Sequence, residues 1–223
     1  MTHRPPVLDD ISRAASAHGL SVVGAFHPDL PDMAPEGTRT LVMLGPGDTG
    51  MWQIFAGSPE YLDGAEHPLD RWSHRVVTAL ATELSAMPLF PFGGPPWHPF
   101  QRWAERAEGA VSSPVRMQAT AARGLWTSYR GALAFRDRID LPPPASANPC
   151  LACAAPCMQT CPVGAFSGDA YDVPRCTAHV QSDAGTACLT GCLVRRSCPA
   201  GTALDLPEEQ QAFHMAAFLR SQG

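Results

Sequence analysis

The chain has 223 residues, 45% of them hydrophobic and 17% charged, with a formal net charge of −5. That length accommodates one ordinary domain with a second small module, and the hydrophobic content suffices for a core, which excludes wholesale disorder. All 16 cations are arginine, so a Schiff-base lysine and a Walker-type phosphate lysine are both excluded, and the negative balance lacks the basic field of a general nucleic-acid binder.

No apolar run approaches the ~20 residues that a membrane span requires, and Met1 to Asp10 lacks the charged-then-apolar order of a secretory signal. The expectation is a soluble cytoplasmic protein with neither a membrane nor a nucleic-acid partner. In that compartment thiols stay reduced, so clustered cysteines bind metal or do redox work more often than they pair.

The predicted elements begin with a helix over Leu8 to His18. Leu8, Ile11, Ala14, Ala15 and His18 recur at three- and four-residue steps, Asp9 and Asp10 suit the positive start, and Gly19 suits the end. Ser21 to Ala25 and Thr40 to Leu44 read as strands, the second ended by Gly45-Pro46-Gly47. His67 to Met87 carries the strongest helical pattern, with Leu69, Trp72, Val76, Leu80 and Leu84 on one apolar stripe. Pro88 to Phe92 reads as an edge strand, because its prolines exclude a central one. An irregular Gly93-Gly94-Pro95-Pro96 loop, a short helix over Phe100 to Ala107 and a strand over Gly131 to Phe135 follow. Strands alternating with helices imply an α/β or α+β body over residues 1–140.

Residues 141–149 are a proline-rich run that favours a semi-rigid connector. Beyond it comes a module over 150–204 and a C-terminal helix over 205–223. In that helix Asp205 is placed to cap, Pro207 falls in the first turn, and Phe213, Ala216, Ala217 and Phe218 are apolar enough to dock on the body.

All eight cysteines lie between Cys150 and Cys198. The first group reads Cys150-x2-Cys153-x3-Cys157-x3-Cys161-Pro162, one residue longer in its second gap than the bacterial ferredoxin run Cys-x2-Cys-x2-Cys-x3-Cys-Pro. In that run three thiolates on a short loop take three corners of a cuboidal cluster, and the fourth serves a second cluster. Cys176, Cys188, Cys192 and Cys198-Pro199 provide four more ligands. Crosswise assignment gives Cys150, Cys153, Cys157 and Cys198 one 4Fe–4S cluster, and Cys161, Cys176, Cys188 and Cys192 the other. Two alternatives stay open: structural zinc, although only Cys150 and Cys153 form the usual Cys-x2-Cys knuckle, and a disulfide framework. Ala152, Ala154, Ala155, Gly164, Ala165 and Gly191 let the backbone approach the sulfurs as N–H donors. Arg175, Arg195 and Arg196 lie beside ligands, where they would compensate cluster charge, receive a partner or stand solvated.

The stretch Gly124-Leu125-Trp126, Tyr129-Arg130-Gly131-Ala132-Leu133-Ala134-Phe135, then Cys150-x2-Cys153 to Cys161-Pro162-Val163-Gly164-Ala165 resembles the epoxyqueuosine reductase-like proteins. Arg175-Cys176 and the Cys188, Cys192, Cys198-Pro199 group sit where that family places its remaining ligands. The resemblance covers about the last hundred residues. It implies a cobalamin-binding α/β domain ahead of a two-cluster ferredoxin module, with the clusters feeding the cobalt. The sequence stops short of the helical-repeat extension that contacts transfer RNA in that family, so a shortened relative is expected, with the clusters kept and the reductase site altered or lost.

In the body, two segments are candidate walls for a cofactor: Gly45-Pro46-Gly47-Asp48, and the loop from Pro91 to His98 with Trp97, Phe100 and Trp103 as flat apolar faces. His98 is a candidate ligand or acid, Tyr129 a candidate acid and Arg130 an anion clamp, each set against ordinary packing. No catalytic residue is assigned. The functional expectation is an electron-transfer protein with redox donor and acceptor partners, the alternative being a corrin-dependent reductase or one acting on another small molecule.

Overall fold

The computed structural model describes residues 6–46, 50–143, 147–168, 170–204 and 206–222. In chain order they form α1 (Leu8–Ser16), β1 (Ser21–Phe26), β2 (Thr40–Gly45), α2 (Gly50–Ala56), α3 (Pro59–Leu62), α4 (Pro68–Glu83), β3 (Met87–Leu89) and α5 (Phe100–Glu108). There follow β4 (Val111–Ser112), β5 (Gln118–Ala119), β6 (Gly131–Phe135), α6 (Val173–Val180), α7 (Thr186–Leu189), α8 (Leu193–Arg196) and α9 (Glu208–Arg220). They divide into two compact units, Met1–Gly109 with Ser128–Ser146, and Ala110–Thr127 with Ala147–Gly223. Residues 110–127, expected in the body, pack instead with the cysteine-bearing segment. Residues 144–146 of the proline-rich run, Gly47 and Asp48 of the glycine turn, and Asp205 lie outside the described residues.

The first unit is mixed α and β around one antiparallel sheet of order β1-β2-β6-β3. Of the two classes expected, α+β is the one that fits, since its strands are antiparallel and not the parallel set of an α/β layer. The central strands β2 and β6 are buried along their whole length, which is why they read as unbroken apolar runs, Leu41-Val42-Met43-Leu44 and Ala132-Leu133-Ala134-Phe135. Burying each large side chain of these runs contributes about 1.5–3 kcal/mol relative to exposure. The proline-bearing β3 takes the edge, as the missing N–H demands.

Helices cover the sheet: α5 packs on β1 and β2, and α4 on β3 and β6. The α4 stripe buries Leu69, Trp72, Val76 and Leu80, and the helix stops at Glu83, short of the expected Met87, which opens β3. Gly19, at φ +72°, turns the chain after α1, and a side chain there would run into Met51 and Ile54. Gly24 lets α5 approach β1 closely, because a Cβ at that position would overlap the Ala107 carbonyl.

A buried carboxylate ties α5 to the preceding loop. Asp32 is wholly buried and accepts from Arg102 Nε at 3.0 Å and Arg106 Nη1 at 2.8 Å, one helical turn apart. It also accepts from the Asp29 backbone N–H at 2.9 Å, and its carbonyl accepts from Trp103 Nε1 at 2.7 Å. Each of these bonds meets a group that would otherwise be desolvated without a partner.

The second unit has little regular structure. It pairs β4 with β5 and threads short helices through a core of Val115, Ala119, Leu125, Cys157, Ala165, Phe166 and Val194. Helix α9 belongs to this unit and packs on α7, with Phe218 6.4 Å from the Tyr171 ring. Docking of the tail on the body was the expectation; the partner found is the cysteine-bearing segment. Pro207 stands at the N-cap of α9, one position before its first turn.

Candidate functional site

All eight cysteines are free thiols, and they sort spatially into two fours. Cys150, Cys153, Cys157 and Cys198 line one cavity of about 430 Å³. The other four, Cys161, Cys176, Cys188 and Cys192, line a second, much narrower one of about 20 Å³. Burial and then the neighbouring Cys198, Cys153 and Cys157 push the Cys150 thiol up, and burial and then Cys192, Cys176 and Cys161 do the same for Cys188. Residues far apart in sequence thus share a cavity, while Cys157 and Cys161, four apart, serve different ones.

Local structure explains the placement. The first three thiols sit on a loop held by Asn148, whose Oδ1 accepts from the Cys150 N–H at 2.9 Å, and by a 3-10 turn at Pro156–Met158 entered through Ala155 at φ +51°. Cys198 closes α8, its N–H donating to the Arg195 carbonyl at 3.2 Å. In the second set Cys176 lies in α6, whose start is capped by Asp172, Cys188 lies in α7, and Cys192 is the N-cap of α8. Helix α8 therefore separates the last ligand of one set from the last of the other.

Backbone and side-chain donors meet the sulfurs. The Ala155 N–H donates to Cys153 Sγ at 3.4 Å and the Ala165 N–H to Cys161 Sγ at 3.3 Å, two of the small residues singled out for that purpose. The Tyr171 hydroxyl donates to Cys176, with its ring stacked on Phe166 at 4.5 Å and 7°. Burial pushes the thiols of Cys150, Cys157, Cys176 and Cys188 up, and the neighbouring thiols of each set push further. Four thiols gathered this way resist joint ionisation until a cationic centre offsets their charge.

Among the described residues no three His, Cys, Asp or Glu side chains converge closely enough to hold a single metal ion. The thiols stand around their cavities and do not meet at a point. No family model matches this chain. No curated protein or solved structure matches it either.

Each cavity also has one buried polar atom in its wall that lacks a hydrogen-bond partner. In the first it is Ser113 Oγ, on a residue only 5% exposed; in the second it is His179 Nε2. Such an atom is costly unless a bound group supplies the partner. Neither residue carries a sequence signal, since Ser113 lies 37 positions before the nearest cysteine and His179 is an ordinary helical residue.

The three arginines separate. Arg175 pairs with Asp172 at 3.3 Å near the surface, and Arg196 is held by Gln211 Oε1 at 2.6 Å and by Thr190. Arg195 lies over the Trp126 ring at 5.8 Å, where burial pushes its guanidinium down while Cys192 and Tyr171 hold it up.

The candidates in the body resolve mainly to packing. Trp103 is wholly buried and Phe100 nearly so, so neither offers a face to a ligand, and of that trio only Trp97 is exposed. His98 stacks on Trp103 at 5.4 Å, and burial pushes its imidazole down. The Tyr129 hydroxyl donates to the buried Glu108 at 2.6 Å, an internal bond and not an acid aimed at solvent. Arg130 donates to Ser128 Oγ at 2.9 Å, and its Nε is buried without a partner. The Gly45 carbon lies against the Ser128 carbonyl, which a Cβ would approach to 2.6 Å.

Proposed function

We propose that this chain is an iron–sulfur protein that holds two 4Fe–4S clusters in a bacterial-ferredoxin-like C-terminal module and carries electrons between redox partner proteins. The observation that carries this reading is the partition of eight thiols into two cavities with four each and none left over. Four thiols ranged around a space suit a polynuclear group better than one tetrahedral ion. Cys150, Cys153, Cys157 and Cys198 would hold one cluster, and Cys161, Cys176, Cys188 and Cys192 the other.

The donor set at each site fits such a group, and the first cavity is roomy enough for it. The sulfurs supply the donor chemistry, and small apolar residues such as Ala152, Ala154 and Ala200 complete the lining of the first cavity. Ser113 and His179 each gain the partner they lack. When bound, a 4Fe–4S cluster supplies reversible one-electron storage. The chain's own part is to hold it by thiolates, to hydrogen-bond the sulfurs through Ala155, Ala165 and Tyr171, and to screen the second site with the Phe166–Tyr171 stack. The second cavity, at about 20 Å³, must widen to accept a cluster. Its walls are short helices joined by loops, the kind of structure whose ordering follows ligand binding.

Anaerobic purification with iron and acid-labile sulfide analysis tests the reading. It expects a brown protein whose visible absorbance bleaches with dithionite; a colourless, zinc-loaded protein would end it. Carrier and corrin-dependent reductase separate in an anaerobic titration with cobalamin. Unchanged corrin absorbance supports the carrier, and a saturable change assigns the reductase.

A further inference from the structure

Of the buried side-chain atoms that lack a hydrogen-bond partner, which include Thr78 Oγ1, Thr177 Oγ1 and Gln210 Oε1, two lie on residues that line the thiol cavities. Ser113 occupies the turn between β4 and β5; its backbone N–H donates to the Met117 carbonyl at 2.9 Å, yet its Oγ is unpartnered in the wall of the first cavity. His179 lies in α6, one turn beyond Cys176, and its Nε2 is unpartnered in the wall of the second. A buried hydroxyl or imidazole without a partner forfeits its hydration for nothing, and proteins retain few of them. Alanine at 113 or an aliphatic residue at 179 would remove the penalty if no bonding role existed.

The two atoms share a placement: one per cavity, each among the four thiols of its set. From this we infer that Ser113 and His179 are positioning residues that donate side-chain hydrogen bonds to the sulfur atoms of the first and second clusters respectively, and so raise the reduction potential of each cluster independently. The inference rests on the two-cluster reading above. The hydroxyl of Ser113 rotates freely to donate, and His179 donates with its proton on Nε2. A hydrogen bond to a cluster sulfur or its thiolate favours the reduced state, which carries the extra negative charge, so its loss moves the potential downward. Neither residue is a ligand, so the effect is on potential and not on cluster content.

The test is a potentiometric titration followed by EPR on the intact, cluster-loaded chain, with iron and sulfide measured in parallel. Ser113→Ala is expected to shift one of the two midpoint potentials negative and leave the other in place. His179→Leu is expected to shift only the other, and His179→Gln, which keeps a donor, to return it toward the wild-type position. Unmoved potentials in fully loaded variants would overturn the inference, as would both variants moving the same wave, and so would loss of iron from Ser113→Ala, which makes that residue structural. An iron-free wild-type protein would instead sink the two-cluster reading, so the two failures are distinct.

Discussion

Gly124 lies against the sulfur of Cys198: a Cβ at position 124 would stand 2.6 Å from Sγ and 2.6 Å from the Gly201 nitrogen. The segment before the proline-rich run thereby forms part of the first thiol cavity, together with Ser113, Pro114 and Leu125. Gly124 also has φ +51°, which a side chain tolerates poorly.

Gly124→Ala is therefore expected to destabilise the second unit by about 1–3 kcal/mol from backbone strain, with a further loss from displacing Cys198. Thermal unfolding and iron content measure this together. An unchanged Tm with full iron would show that position 124 is not pressed against the ligand.

Glu60 gives the first unit an acid-sensitive contact. The hydrogen-bonded Arg75 guanidinium holds the Glu60 carboxyl down at about 2, from an ordinary 4.5. A carboxyl with a folded-state value below its unfolded one contributes stability that is present above about pH 4.5 and lost as pH falls toward about 2. The urea-midpoint difference between the wild type and Glu60→Gln is expected to be constant near neutrality and to shrink through that window. A difference that stayed flat down to about pH 2 would contradict the pairing. Because Arg75 is half exposed, the contribution is that of a solvent-screened pair.

Tyr129→Phe separates packing from chemistry in the body. Removing the hydroxyl takes one donor from the buried Glu108 and is expected to cost about 1–3 kcal/mol in urea unfolding. Reduction of the protein by dithionite should be unaffected. A loss of reducibility at wild-type stability would return Tyr129 to the functional residues.

Much of the fold was legible because its signals are local. The α4 stripe, the apolar runs of β2 and β6 and the proline-bearing edge β3 each follow from composition and period within one window. Helix α2 was missed although Met51, Trp52 and Phe55 are buried on it, because seven residues make too short a period to stand out. Strands β4 and β5, two residues each, have no period at all. The crosswise sets follow from the ferredoxin-type run and not from local gaps, since Cys198 lies far in sequence from Cys150, Cys153 and Cys157 while Cys161 lies close to them. Gly124 against Cys198 and Ser113 in the first wall depend on contacts between distant segments, which no single stretch of sequence encodes. Trp103 misled for the converse reason: an indole beside a glycine–proline loop looks like a ligand face until its N–H is seen committed to Asp32.

Iron content of single-cysteine variants tests the two-set arrangement most directly. The wild-type chain is expected to carry about eight irons, and Cys153→Ala and Cys188→Ala about four each, with different EPR signals surviving in the two variants. Equal wild-type iron in both variants, or the same surviving signal in each, would contradict the division of these thiols between two sites.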